Sequence, residues 1–364
     1  MSEVRSSRSS GISSGARCGL RIAHVMAGAQ SGGAELFYER LSIAQTRAGH
    51  DVLSLLRRDP ARESRLGEAG VRTAGFRFGG LLDLRTRPGL SRALRAFAPD
   101  VAIAWMSRAA RMMPDGPWPV AGRLGGYYDL ANYRRCSDLI GNTQGLVRWM
   151  IAEGWPAERV HHLPNFAADL GNVDPVRPVG PVGGAPFILA LGRLHRNKAF
   201  DVLIRAMPAL SGVHLVIAGE GPERAALEEL ARREGVAERV HMPGWTQSGG
   251  AWLRACDLMV CPSRIEPLGN VVIEGLSAGR PVVASAIQGP QEVLGGTQDG
   301  VLVPPEDPAA LSAAIAEVLG DPGKAAALSR NGRARFEREF SEPVVLRRWD
   351  AFLDGMAKRN GGER

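Results

Sequence analysis

Two glutamates, Glu266 and Glu274, mark the stretch of this sequence that is best suited to bind a ligand. An apolar run ends just before them, so we predict that Glu266 lies in a loop and Glu274 in the first turn of the next helix. Between them, Leu268, Gly269 and Asn270 would present backbone amides at a helix N-terminus, which favours an anion. The stretch therefore indicates a ligand with anionic and hydroxyl groups, such as a sugar nucleotide.

Local structure explains only part of this pattern. The helix dipole favours an acid in a first turn without any ligand. A capping box, however, needs the acid three residues after the cap, and Glu274 follows Asn270 by four. The polar partner of Glu274 is thus unexplained, and ribose hydroxyls would suit it. Glu266 precedes Pro267 in a loop that needs no acid, and it would suit the hydroxyls of a sugar.

Two cations follow another predicted strand, which ends at Gly192. Arg193 and Lys198 lie on the loop and at the start of the next predicted helix. At the mouth of a sheet, opposite the amides near Gly269, they could clamp a diphosphate and neutralise the charge that it gains on leaving. We include Gly192 in the predicted donor site. The alternative is an ordinary surface pair that caps helices.

A glycine-containing loop, residues 28–33, follows the first predicted strand and opens a helix. It lacks the spacing of the dinucleotide fingerprint, and the second strand ends in Arg57 and Arg58 instead of an acid. Those arginines keep an NADP-dependent oxidoreductase as a distant alternative. We prefer a loop in which Gly32 and Gly33 let a phosphate or a sugar come close.

Met106, Ser107 and Arg108 stand at the end of a further predicted strand, and we take them as candidates on the acceptor side. Bulky apolar groups mixed with arginine would suit an amphipathic acceptor. The alternative is packing between domains. The sequence contains no Asp-x-Asp, so a metal held by such a pair is not indicated, and we expect neither a metal nor another cofactor.

The elements that must position these residues alternate between strand and helix, which predicts parallel sheets wrapped by helices. A stretch rich in proline and glycine, residues 165–186, breaks the alternation and is typical of an interdomain linker. In such sheets, ligands bind beyond the carboxyl ends of the strands. We predict a tail at 1–18, a first domain at 19–175, a second domain at 176–340 and a final helical segment at 341–364.

Composition limits the class of protein. With 364 residues, 45% hydrophobic and 23% charged, the chain is expected to be globular with two domains. No apolar run approaches the about 18 residues that span a bilayer. The first 18 residues lack the apolar core of a secretory signal, although a transit peptide is an alternative to a disordered tail. The four cysteines show no metal spacing, so we predict a cytoplasmic protein.

The net charge of +7 is confined to the first half of the chain. Residues 1–175 hold 23 arginines, no lysine and 16 acids, whereas residues 176–364 balance 22 basic against 22 acidic residues. An anionic partner, such as a membrane surface or a phosphorylated acceptor, would explain the excess. Within this half, arginines interleave with leucines over residues 84–97. That pattern suits either anionic lipid or a solvated helix face.

The second half resembles the retaining glycosyltransferases of family 4, which have the GT-B fold. The resemblance rests on GRLHRNKAFDVLIRAM, VHLVIAGEGPERAALEELA, PSRIEPLGNVVIEGLSAGRPVVAS and DGVLVPPEDPAALSAAI. The first half is similar through GGAELFYERLSIAQTRAGHDV and the LPN that ends at Asn165. The resemblance implies two Rossmann-like domains whose parallel sheets face each other across a cleft. It also implies a nucleoside-diphosphate sugar donor, no metal, and a final helix that crosses back to the first domain.

Position by position, the resemblance gives the candidate residues their roles. Arg193 and Lys198 would contact the diphosphate and stabilise the leaving group, Glu266 the donor sugar and Glu274 the ribose. The amides of residues 268–270 would meet sugar and phosphate, and Gly32 and Gly33 would lie beside the phosphates. Two departures stand out. Ala199 replaces the usual glycine, and residues 105–107 lack the histidine or acid that many relatives place at that strand end, so no residue is assigned as a base.

Together these patterns predict a retaining, metal-independent enzyme that transfers a sugar from UDP, or less favourably GDP, to a glycan or lipid-linked acceptor. Synthesis of lipopolysaccharide or another cell-envelope polysaccharide would supply such an acceptor. The enzyme would be cytoplasmic, either free or bound to the inner face of the plasma membrane, with no nucleic-acid partner. The alternatives are a catalytically impaired subunit that binds sugar nucleotides and, less favourably, an epimerase with the same fold.

Overall fold

A computed structural model describes residues 19–29, 32–79, 83–178 and 182–362 of the chain, without the side chains of 361 and 362. The tail predicted at residues 1–18 lies outside the described residues. Within the described parts, the helices and strands build two domains, each organised around its own parallel sheet. No helix among them is long and apolar enough to cross a membrane.

The first sheet, within the described residues, has seven parallel strands in the order β3-β2-β1-β4-β5-β6-β7. Short apolar runs form these strands because both faces of the sheet are covered by helices; all five residues of β4 are buried. The strands are β1 (Arg21–Met26), β2 (Asp51–Arg57), β3 (Arg72–Phe76), β4 (Val101–Trp105), β5 (Val120–Leu124), β6 (Asp138–Gly141) and β7 (Val160–His162).

The second sheet, likewise within the described residues, has six parallel strands in the order β10-β9-β8-β11-β12-β13. The strands are β8 (Phe187–Leu191), β9 (His214–Ala218), β10 (Val240–Gly244), β11 (Leu258–Cys261), β12 (Val282–Ser285) and β13 (Val301–Val303). In both sheets the strand order reverses between two neighbouring strands near the centre. These are β1 and β4 in the first sheet and β8 and β11 in the second. A crevice forms at such a switch in strand order.

Thirteen α-helices connect and cover the described strands. They are α1 (Gly33–Arg47), α2 (Pro60–Glu68), α3 (Thr86–Phe97), α4 (Met106–Met112), α5 (Gln144–Ala152), α6 (Phe200–Ala206), α7 (Arg224–Arg233), α8 (Gly249–Ala255), α9 (Asn270–Ser277), α10 (Gln288–Leu294), α11 (Pro308–Gly320), α12 (Pro322–Arg335) and α13 (Glu342–Gly362). The helical sequence pattern over residues 323–339 predicts one continuous helix, which is wrong at its end: α12 ends at Arg335, and Phe336–Phe340 forms a π-helical turn that buries both phenylalanines.

The last helix, α13, follows that π turn and packs on the first domain. Val345, Trp349, Leu353 and Met356 are buried in one cluster with α1 and the first sheet. Their spacing of three or four residues places them on one face of the helix. Arg359 adds a hydrogen bond of 2.7 Å to Asp138. The crossing back that was expected of the final segment is therefore seen in the structure.

The carboxyl ends of the two sheets face each other across a cleft. Gly33 follows β1, and a Cβ atom built on it would lie only 2.9 Å from the side-chain Nδ2 atom of Asn270, which follows β11. Tyr127, after β5, donates a hydrogen bond to Gln288, after β12. The architecture of two Rossmann-like domains with facing parallel sheets is confirmed.

Candidate active site

The loop after β11 turns into α9 at a glycine. Gly269 has φ +96°, a left-handed conformation that glycine adopts without a Cβ clash. Because this turn starts the helix at Asn270, Glu274 is its fifth residue and lies in the second turn, so its predicted place in the first turn was wrong. No described side chain caps α9; the amide of Val272 donates to the carbonyl oxygen of Gly269, whereas those of Asn270 and Val271 have no described acceptor and can meet an anion.

Lys198 and Glu266 meet as an ion pair beside this helix start. Their side chains are 23% and 12% exposed, so the pair is largely withdrawn from water. Gly192, at φ +151°, holds its backbone close to the lysine, since a Cβ there would lie 3.3 Å from Lys198 Cε. Sequence reasoning placed these three residues in one site but missed that lysine and glutamate pair with each other.

Arg193 has a different environment. Its side chain is exposed and forms no hydrogen bond or ion pair with any described residue. Its guanidinium is therefore available to an anion that enters the cleft, whereas Lys198 would have to share its charge with Glu266. The structure thus joins Lys198 to Glu266 and leaves Arg193 without a protein partner.

A second arginine, Arg264, fixes the motif loop against the turn that carries Lys198. It donates to Asp201 at 2.7 and 2.8 Å and to the carbonyl oxygen of Arg196 at 2.8 Å. Burial alone would raise the pKa of Asp201, but hydrogen bonds from Arg264 and Arg205 outweigh it and lower the pKa to about 2. No pattern in the sequence indicated this contact between Arg264 and the turn that carries Lys198.

The polar partner that Glu274 lacked locally is Arg40 of α1, in the other domain. The two groups lie 3.5 Å apart across the cleft. Burial raises the pKa of the Glu274 carboxyl, and Arg40 opposes that rise. A ligand with ribose hydroxyls at Glu274 would therefore also meet Arg40. No sequence signal links residues 234 positions apart.

The glycine loop after β1 encloses a protein carboxylate. Glu35 is buried and accepts a hydrogen bond of 2.8 Å from the amide of Ala29. A Cβ atom on Gly28 or Gly32 would collide with the Glu35 carboxylate, so these glycines make room for it. A negative charge in the loop disfavours a phosphate at this point and suits hydroxyl groups. Residues 30 and 31 lie outside the described residues.

The acceptor-side candidates lie at the carboxyl end of β4. Met106 has φ +62° and starts α4, and Arg108 is exposed. The Ser107 hydroxyl lies 3.4 Å from that of Tyr133. The preceding Trp105 is buried and donates to His24 at 3.0 Å. It thus belongs to the core of the first domain and not to an acceptor surface.

Elsewhere between the two domains, a carboxylate of the second domain caps a helix of the first. Glu292 of α10 accepts hydrogen bonds of 2.5 and 2.8 Å from the amides of Gln144 and Gly145, at the start of α5. Thr143 takes the next amide, that of Leu146, at 3.2 Å. The first three amides of α5 are thereby satisfied, two of them across the domain boundary.

Among the described residues, no three His, Cys, Asp or Glu side chains lie close enough to hold a metal ion. The described cysteines Cys136, Cys256 and Cys261 are free and buried.

Comparisons with known proteins find a matching family, similar sequences and a similar fold. Residues 185–321 match the family model described as "Glycosyl transferases group 1". Over 357 residues, the chain is 32% identical to the lipopolysaccharide core biosynthesis glycosyltransferase LpsD of Rhizobium meliloti, covering 93% of this chain and all of that one. LpsE of the same organism is 31% identical over 348 residues, with the same coverage. The crystal structure of Anabaena HepE in complex with UDP superposes with a TM-score of 0.80 at 21% identity, over 92% of this chain and all of that one.

Proposed function

This chain belongs to the group 1 glycosyltransferases, and we propose that it transfers a sugar, with retention at the anomeric carbon and without a metal, from a nucleoside-diphosphate sugar to a glycan or lipid-linked acceptor. The observation that carries the proposal is that the Lys198–Glu266 pair lies beside the uncapped start of α9. The exposed Arg193, on the loop that leads to Lys198, adds a second cation.

UDP is the nucleotide we favour. The fold is similar to that of Anabaena HepE, which has been crystallised with UDP and with UDP-glucose. In the proposed complex the diphosphate lies between Arg193, Lys198 and the α9 amides, the donor sugar lies at Glu266 and the ribose at Glu274. Arg40, which pairs with Glu274 in the structure, would rearrange to admit the ribose.

The proposed reaction takes place on one face of the sugar. The bond from the anomeric carbon to the diphosphate oxygen breaks, and the acceptor oxygen bonds to the same face of that carbon. The acceptor proton passes to the departing phosphate oxygen, so no side-chain base is required. Lys198 and Arg193 stabilise the negative charge that develops on the diphosphate.

The acceptor we propose is a lipopolysaccharide core or a related cell-envelope glycan, because the relatives LpsD and LpsE are named for lipopolysaccharide core biosynthesis. The arginine-rich first half supports a cytoplasmic enzyme that binds the anionic inner face of the plasma membrane. Leu84, two residues before α3, is 83% exposed and would add an apolar contact to such a membrane surface. Sedimentation with anionic liposomes at low salt tests it, and a protein that stays in solution would contradict it.

The catalytic proposal is tested by replacing the ion pair. Lys198→Ala and Glu266→Ala should each lower the rate of sugar transfer or donor hydrolysis by roughly 10² or more. Lys324→Ala is the matched control, because it removes a lysine that pairs with Glu317 at the second domain's surface. Wild-type rates in both site variants would overturn the proposal.

A second candidate is a subunit that binds sugar nucleotides without turning them over. The composition of the β4 end favours it, since Met106, Ser107 and Arg108 offer neither a carboxylate nor an imidazole. Tight UDP binding without product over a broad panel of acceptors would support this candidate against the first.

A further inference from the structure

Arg123 is a buried arginine without an acidic partner. Its side chain lies near the end of β5 and is 2% exposed, and no described carboxylate forms an ion pair with it. The guanidinium stacks over the rings of Phe37 and Trp105, each 5.0 Å from the ring centroid. By contrast, the equally buried Arg62 pairs with Glu39 at 2.7 Å. A buried cation that lacks a counter-charge is unfavourable for the protein alone.

The hydrogen bonds of Arg123 satisfy only part of the guanidinium. Nη1 donates to the carbonyl oxygen of Leu124 at 3.3 Å, and Nη2 donates to the side chain of Asn165. Nε is buried and has no partner among the described residues. Burial also lowers the pKa of Arg123 to about 9. Neutral oxygen acceptors and aromatic faces therefore hold a charge that no described group neutralises.

The charge is connected to the start of α9. Asn165, which accepts from Arg123, donates to the Oδ1 atom of Asn270 at 2.8 Å. Asn270 is the first residue of α9 and directly follows Gly269, and its side-chain Nδ2 atom lies against Gly33 of the first domain. Two hydrogen bonds therefore separate the buried guanidinium from the loop where the diphosphate is proposed to bind.

We propose that Arg123 is a positioning residue for the donor: its uncompensated positive charge favours the donor's diphosphate in the cleft, and Asn165 and Asn270 orient the α9 start toward it. This inference rests on the proposed function. In the poorly polarisable interior, a charge acts over a longer distance than in water. The nucleotide thus provides the counter-charge that the first domain lacks, although Arg123 does not touch it.

The test is UDP binding by titration calorimetry, with thermal unfolding of the ligand-free protein measured alongside. Arg123→Met should weaken UDP binding by about tenfold or more while leaving the unfolding temperature unchanged or higher, since it removes an unpaired buried charge. Arg123→Lys keeps a titratable cation but loses the planar stacking on Phe37 and Trp105, so its UDP affinity should lie between those of the wild type and Arg123→Met. Arg239→Met is the control, because that arginine donates only to the carbonyl oxygens of Met207, Leu210 and Val213, beside the amino end of β10. The Arg239→Met variant should unfold at a lower temperature than the wild type and bind UDP with wild-type affinity.

Several outcomes would overturn the inference. Wild-type affinity in Arg123→Met would exclude any role in binding, and an affinity of Arg123→Lys no higher than that of Arg123→Met at every pH tested would contradict a role for the charge. If Arg123→Met does not fold, the stability expected for it is wrong. UDP binding by Arg123→Lys and by Asn165→Ala then still tests the link between Arg123 and the start of α9. A wild-type protein that binds neither UDP nor GDP would refute the proposed function itself.

Discussion

Replacing Lys198 by alanine would leave Glu266 in the cleft without its cation. Breaking a buried ion pair from one side costs about 3–5 kcal/mol, and exposed pairs are worth about 0–1 kcal/mol. The two side chains are 23% and 12% exposed, which places this pair between those limits. We therefore expect Lys198→Ala to lower the free energy of unfolding by about 1–3 kcal/mol. In two domains of this size, that corresponds to a fall of roughly 2–10 °C in the unfolding temperature.

A double-mutant cycle separates the pair from its surroundings. Glu266→Gln removes the carboxylate charge, so the double variant Lys198→Ala/Glu266→Gln should recover part of the stability lost in Lys198→Ala. Chemical denaturation followed by circular dichroism measures all four proteins. A coupling energy near zero would refute the interpretation of a partly buried pair, as would a loss no larger than that of Lys324→Ala.

Three further predictions concern the supports of the site. Asp201→Asn should lower the free energy of unfolding by about 1–2 kcal/mol near neutral pH. Because the pKa of Asp201 is lowered to about 2 in the folded protein, this stabilisation is present above the ordinary aspartate pKa and is lost as the pH falls from about 4 toward 2. The unfolding curves of wild type and variant should therefore converge in acid. Gly145→Ala places a Cβ 2.8 Å from Glu292 Oε1 and closer still to Gln288 Nε2, so both side chains must turn away and the interdomain cap weakens; we expect a small fall in the unfolding temperature, and an unchanged temperature would argue against the cap. Ala199→Gly relieves a left-handed residue at φ +52° and should stabilise the protein by about 0.5–1 kcal/mol, and a lower unfolding temperature would contradict this.

Much of the fold follows from patterns that are local in sequence. The strand predicted directly before Met106 is β4, and the strand predicted to end at Gly192 is β8, which ends at Leu191; continuous apolar runs in an α/β pattern form buried strands of a parallel sheet. The edge strand β3 carries no such run, since Arg72–Phe76 is only half-buried, and it was not predicted. The helix α10 was also missed, because Gly289 and Pro290 near its start are residues that usually mark a turn.

The candidate site was predicted in its residue types but not in its pairings. Motif spacing brought Lys198, Glu266 and Glu274 into one site, and the structure places the first two in contact. The partner of Glu274 is an arginine more than two hundred residues away, and such a pairing depends on how the domains meet. Arg123 offered no signal, because an arginine at a strand end is usually solvated and only the surrounding packing shows that it is buried.

The central claim, that the diphosphate of a sugar nucleotide binds at the start of α9, is tested most directly by a crystal structure of the protein with UDP. The account predicts phosphate oxygens within hydrogen-bonding distance of the first α9 amides and of Arg193 or Lys198, with the ribose at Glu274. A diphosphate bound instead in the loop of residues 28–33, beside the Glu35 carboxylate, would contradict it.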